Sequence, residues 1–145
     1  MSTATAVKPS LTLKRRINAP PAKVFAAFTE PQTIARWFGP QGVTDVQAET
    51  DLRVGGRYRI VAKMANDEHS VGGVYREIVP NEKLVYTWAW KSTPERESLV
   101  TITFKPDGAG TLLTLTHEQF FDADARDRHQ HGWSGALDKL EKLFA

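Results

Sequence analysis

The chain has 145 residues, 41% of them apolar, which suits one domain with an ordinary core and excludes global disorder. Its 19 basic and 17 acidic residues leave a net charge of +2, and the densest basic run is only Lys14-Arg15-Arg16, so the gathered positive face of a nucleic-acid module is missing and no nucleic acid is expected as a partner. There is no cysteine, which excludes disulfides, thiolate catalysis and cysteine-based zinc sites and fits a reducing cytoplasm, and no apolar run approaches the ~20 residues that cross a bilayer, so no membrane is expected either.

The opening stretch, MSTATAVKPS, lacks the apolar segment of a signal peptide, and residues 1–9 read as a flexible lead-in to a single domain. Residues 11–18, LTLKRRIN, alternate as a strand does, with Leu11, Leu13 and Ile17 against polar neighbours. Pro20-Pro21 then opens a short helix over 21–29, because proline at the first helical position gives up no intrahelical bond. Val24, Phe25 and Phe28 fall on one face of it, and Glu30-Pro31 breaks it. A second short helix carries Ile34, Trp37 and Phe38 on one face and stops at Gly39-Pro40.

From residue 43 the period changes to two. Strands are predicted over 44–51, 57–65, 70–79, 84–91, 98–105 and 111–119. Gly55-Gly56, Ala65-Asn66-Asp67, Pro80-Asn81-Glu82 and Pro106-Asp107-Gly108 separate them as turns, with the two glycines supplying positive φ. Turns at hairpin spacing predict an antiparallel meander. The tail returns to helical spacing over 123–144, with Trp133, Leu137, Leu140 and Phe144 on one stripe, Asp122 and Asp124 at its start, and a length of ~30 Å.

The order is thus one strand, two short helices, six strands and one long amphipathic helix. A curved sheet with one apolar face and a helix with one apolar stripe bury most area when the sheet wraps the helix. Such a grip closes incompletely. The predicted fold is α+β: a curved antiparallel sheet of about seven strands around the C-terminal helix, with a cavity left between them.

Six stretches carry a family resemblance. They are IxAPxxxVFxAFT at 17–29, PxTIxRWFGP at 31–40, DLRVGGRY at 51–58, GVYREIVPNEKLVYTW at 73–88, GTLLTLTHEQF at 110–120 and GWSGALDKLEKLF at 132–144. The pattern resembles the START-like, birch-pollen-allergen-like (SRPBCC) superfamily of helix-grip proteins. Within it, the pattern is most similar to bacterial proteins that resemble the C-terminal domain of the activator of the heat-shock-90 ATPase. The resemblance implies the helix-grip fold, a ligand cavity and a link to stress response. It also admits an enzyme of the polyketide cyclase or hydrolase kind, and a co-chaperone that binds a protein partner. One helix-grip domain accounts for the whole chain, so a separate chaperone-binding domain is not expected, nor a chaperone partner. Self-association through an edge strand is left open.

Residue types then point to a site. Trp37 and Phe38 read either as core at the end of the grip or as a wall of the cavity mouth. On the strand from Tyr58, the inward set is Tyr58, Ile60, Ala62 and Met64. Tyr86, Trp88 and Trp90 share a face, and rings with polar edges in place of Leu or Ile suggest a pocket with polar rims, with Trp90 equally assignable to the outer sheet face. His117 points with Leu113 and Leu115, either as a hydrogen-bonded core residue or as a polar anchor paired with Tyr75 or Glu77. His129 lies one turn before Trp133 on the same helix face, and Gly132 and Gly135 flank Trp133, allowing close approach to the sheet or room for a ligand. Trp37, Phe38, Tyr58, Met64, Trp88, Trp133 and Leu137 are therefore predicted to wall a cavity of ~300–1,000 Å³, with Tyr75 and His117 orienting a small apolar or aromatic molecule.

No metal site is expected, because His129 and His131 fall on different helix faces and HExxH is missing. No cofactor is expected, because a Walker loop and GxGxxG are missing. No GxSxG or cysteine nucleophile is present; His117, Glu77 or Glu49 are the groups that acid–base chemistry would draw on, so the expectation is a binding protein more than an enzyme. Two or more ionisable groups converging on one buried point would favour catalysis, and a single polar anchor would favour binding.

Overall fold

The computed structural model describes residues 8–145, so the expected lead-in lies, for residues 1–7, outside the described residues. Pro9 is tied down: its carbonyl accepts the Phe120 N–H at 3.1 Å. The elements are β1 (Leu11–Ile17), α1 (Pro21–Thr29), α2 (Pro31–Trp37), β2 (Val43–Thr50), β3 (Arg57–Met64), β4 (Asp67–Val79), β5 (Lys83–Trp90), β6 (Ser98–Asp107), β7 (Gly110–Glu118) and α3 (Ala123–Leu143). The seven strands form one antiparallel sheet in the order β1-β7-β6-β5-β4-β3-β2. Strands β2 to β7 are a meander. Only β1 is placed out of sequence, beside β7, so α1 and α2 lead the chain from one edge of the sheet to the other.

The α1 boundaries follow from the prolines. Pro21 occupies the first turn of α1 and Pro31 that of α2. Asp122 caps α3, its carboxylate accepting the Ala125 N–H at 2.8 Å, and Asp124 adds an acid to the first turn.

Two turns are tighter than the sequence suggests. The β3–β4 hairpin turns on Ala65 and Asn66 alone, with Met64 facing Asp67, so β4 starts three residues before the expected position 70. β6 runs through Pro106 and Asp107, which face Thr111 and Gly110, and the turn is Gly108-Ala109. Proline fits there because a ladder position without an N–H demand does not miss one. Of the glycine pair before β3, only Gly55 has positive φ (86°); Gly56 serves close approach, since a Cβ on it would lie 2.0 Å from the Asp51 carbonyl oxygen.

One core spans the inner sheet face, α1, α2 and the stripe of α3, with Ile17, Val24, Leu84, Val100, Ile102, Leu113, Leu115, Leu137 and Leu140 all fully buried. The backbone of α3 runs closest to β1 and α2. Arg15 of β1 donates to Asp138 at 2.7 Å and to Glu141, and Lys139 donates to the carbonyls of Phe38 and Pro40. Those ties hold α3 toward one side of the sheet. On the other side, against β3, β4 and the end of β5, a cleft is left open.

Candidate functional site

The cleft has a volume of about 1070 Å³. Its apolar wall is Phe38, Met64, Trp88, Trp90, Phe120 and Trp133, and Gly132 of α3 faces it as well. Phe38, Trp88 and Trp133 form a continuous ring surface, with centroids 6.0 Å apart between Phe38 and Trp88 and 5.2 Å between Trp88 and Trp133. The helical stop at Gly39-Pro40 sets Phe38 there. A Cβ on Gly135 would sit 3.4 Å from the Gln41 amide, so that glycine brings α3 against the α2–β2 loop and not against the sheet.

Behind the rings lies a buried polar network. Trp133 Nε1–H donates to Nδ1 of His117 at 3.0 Å. That nitrogen therefore carries no proton, and Nε2–H of His117 faces the Ser98 hydroxyl at 2.7 Å, which in turn donates to the Trp88 carbonyl. His129 has the opposite tautomer. Its Nε2 accepts indole N–H bonds from Trp90 at 2.8 Å and Trp88 at 3.3 Å, and its Nδ1–H donates to the Ala125 carbonyl at 2.6 Å. The two imidazoles are 5.2 Å apart. Burial, and then the neighbouring His129, pushes His117 well below the ordinary histidine range. Burial pushes His129 down too, against the Ala125 carbonyl and with help from Arg128. Both rings are neutral at physiological pH, and all four nitrogens are engaged.

The residues singled out by sequence divide between the cleft and the solid core. Phe38, Met64, Trp88 and Trp133 line the cleft. Trp37 does not: it is core, 2% exposed, donating its indole N–H to the Ala27 carbonyl at 2.9 Å and packing on Phe28. Leu137 is also fully buried away from the cleft. Tyr58 and Tyr75 pack with Tyr86 around a void of only about 20 Å³, with Phe38 and Trp133 as the partition between that void and the cleft. Burial pushes Tyr75 up to about 12, with Asp51 adding to it, and Tyr58 and Tyr86 further up, so these phenols stay neutral. His117 stands one layer behind the wall. Its partners are Ser98 and Trp133, not Tyr75 or Glu77; a bulge between Tyr75 and Glu77 turns Glu77 outward, where it pairs with Lys83. Glu49 is exposed opposite Arg59.

Two contributors escape the sequence reading of the site, Ser98 and Phe120; Trp90 and His129 are singled out in it but not assigned to the cavity wall. Trp90 faces inward, half-buried. The i, i+4 spacing of His129 and Trp133 was the legible signal. Ser98 and Phe120 sit at a strand start and in a loop, where periodicity says nothing. Among the described residues no cluster of three His, Asp or Glu side chains is arranged to hold a metal ion.

The family model described as Activator of Hsp90 ATPase homolog 1-like protein matches residues 18–145. A solved structure from Chromobacterium violaceum is similar over 93% of this chain and 96% of its own, at 30% identity and a TM-score of 0.82. The AHSA1 protein of Silicibacter pomeroyi is 25% identical, with a TM-score of 0.79, 93% of this chain and 96% of its own covered. The human Activator of 90 kDa heat shock protein ATPase homolog 1 is 25% identical over 124 residues, 85% of this chain. The chain spans about a third (33%) of the length of that human relative.

Proposed function

The chain belongs to the family of Activator of Hsp90 ATPase homolog 1-like proteins, and from that premise we propose that it binds a small apolar or aromatic molecule in the cleft between sheet and α3. The observation that carries this reading is the ring surface of Phe38, Trp88 and Trp133 facing a space of about 1070 Å³, large enough for a ligand of drug size. Phe38, Trp88 and Trp133 are themselves 4–6% exposed, so a small part of each ring reaches that space, beside the half-buried Met64 and Trp90. The ligand would lie on the rings, and the His129 pair with Trp88 and Trp90 would fix the wall's shape.

An enzyme of the cyclase or hydrolase kind is favoured by one observation, the convergence of His117 and His129 at 5.2 Å. Their chemistry favours binding instead. A general base needs a ring nitrogen directed at substrate, and each of these four nitrogens is spent on an indole, a hydroxyl or a carbonyl. A chaperone-partner role has less support: outside the cleft, the large apolar side chains exposed among the described residues are Leu52 and Val54, neighbours on one loop.

Native mass spectrometry of gently purified protein tests the reading, with titration of the neutral fluorophore phenylnaphthylamine beside it. Uptake of the fluorophore that falls in folded Trp88→Ala supports it. No co-purifying molecule together with no uptake sinks it.

A further inference from the structure

The rim of the cleft differs from its wall. Arg59, Lys91, Arg96 and Arg128 line it, against two acids, Asp67 and Glu68. The chain as a whole is nearly balanced at +2, so a surplus of cations around one opening is a local feature and not an average one. One of the two acids is also occupied: an Asp67 carboxylate oxygen lies 3.0 Å from Nε2 of His69, and the other accepts the Glu68 N–H at 2.9 Å. Arg96 and Lys91 have no carboxylate partner among the described residues. The Arg96 guanidinium lies 3.9 Å over the exposed Phe121 ring, which holds it at the edge where the segment after β5 meets the start of α3. Arg128 pairs with Asp124 one turn back on α3, in a contact where both side chains are exposed.

A wall of mutually tilted rings and a rim of cations ask for one molecule with two ends. We propose that the cleft takes an aromatic anion: a flat ring system against Phe38, Trp88 and Trp133, carrying a carboxylate, sulfonate or phosphate that reaches Lys91 and Arg96. This rests on the ligand-binding reading above and specifies its ligand class. The aromatic body supplies burial, and the anionic group supplies charge-assisted hydrogen bonds to guanidinium and ammonium at the mouth, where charge stays near water and needs no full desolvation.

Two probes with the same body separate body from charge. Phenylnaphthylamine is neutral; anilinonaphthalene sulfonate is that molecule with a sulfonate added. The sulfonate should bind the full chain roughly three- to tenfold tighter than the neutral probe at low salt. The advantage should shrink at high salt and vanish in the double variant Lys91→Gln/Arg96→Gln, while the neutral probe binds that variant as it binds the parent. Equal affinity for the two probes, or an advantage that survives the double substitution, overturns the anion assignment and leaves the apolar cleft standing. Failure of both probes to bind removes the ligand-binding reading and this assignment together.

Discussion

Trp133 donates its indole N–H to Nδ1 of His117 across 3.0 Å, joining the long helix to the last strand through a bond that only a neutral imidazole can accept. The bond fixes the His117 tautomer and leaves its other nitrogen to Ser98. His129, on the same helix, repeats the arrangement with Trp88 and Trp90. Helix and sheet are thus latched, on the cleft side, by polar groups that must not ionise.

Acid should therefore open the latch. Both histidines are held below their ordinary value, His117 by burial and then His129, and His129 by burial first, with Arg128 beside it. Above about pH 6.5 they are neutral in folded and unfolded chains alike and cost nothing. Below it the unfolded chain takes up protons that the folded chain refuses. Stability then falls by about 1.4 kcal/mol per pH unit for each histidine until the folded-state value is reached. Urea midpoints at successive pH values from neutral toward acid should decline, and His129→Gln, whose amide oxygen still accepts the indoles, should remove one histidine's share of the slope. A midpoint independent of pH over that window contradicts the latch.

Of the three indole donors, Trp133 and Trp88 are not equivalent. Trp133→Phe keeps the ring but leaves buried Nδ1 of His117 without a donor, and should cost about 1–3 kcal/mol. Trp88→Phe removes the longer bond, at 3.3 Å, to a nitrogen that Trp90 still serves at 2.8 Å, and should cost less. Chemical denaturation of the pair checks the order; equal losses would mean that the indole bonds carry little of the stability.

Much of the fold was legible because the elements are locally consistent. Prolines open both short helices, the period switches to two at residue 43, and an aspartate caps α3. The cleft was less legible. Whether Trp37 or Phe38 faces it depends on one turn of α2 against α1, and the Trp37 bond to the Ala27 carbonyl decides that in three dimensions. Tyr58 and Tyr75 share the inward face with Ile60 and Ala62, yet the partition of Phe38 and Trp133 puts them on the far side. Period two tells which face a side chain takes, not how far along the sheet the core stays solid. The cationic rim comes from β3, from the segment after β5 and from α3, and no local pattern links those segments.

Backbone approach predicts a sharp intolerance in β4. A Cβ on Gly73 would lie 2.0 Å from the Thr87 carbonyl oxygen of β5, and backbone cannot give way there without parting the strands. Gly73→Ala should cost at least ~3 kcal/mol or abolish soluble expression, read as a lowered melting temperature. A melting temperature within error of the parent would mean that the β4–β5 ladder is looser than its register implies.

Gly132 offers the opposite case and the cleanest test of where a ligand lies. It sits on α3 facing the cleft, and a Cβ added there meets nothing within 4 Å. Gly132→Ala should stabilise the protein by up to about 1 kcal/mol, since glycine is a poor helix former and no neighbour must move. Gly132→Leu should retain most of that gain while its side chain fills part of the space beside Trp133. The folded, stable leucine variant should lose at least roughly tenfold in affinity for phenylnaphthylamine, because the space is occupied and not because the wall has collapsed. Unchanged affinity in a variant that melts no lower than the parent would place the probe somewhere other than between α3 and the sheet. The alanine variant separates the helix effect from the filling effect, since it changes the backbone preference by the same step and leaves the cleft open.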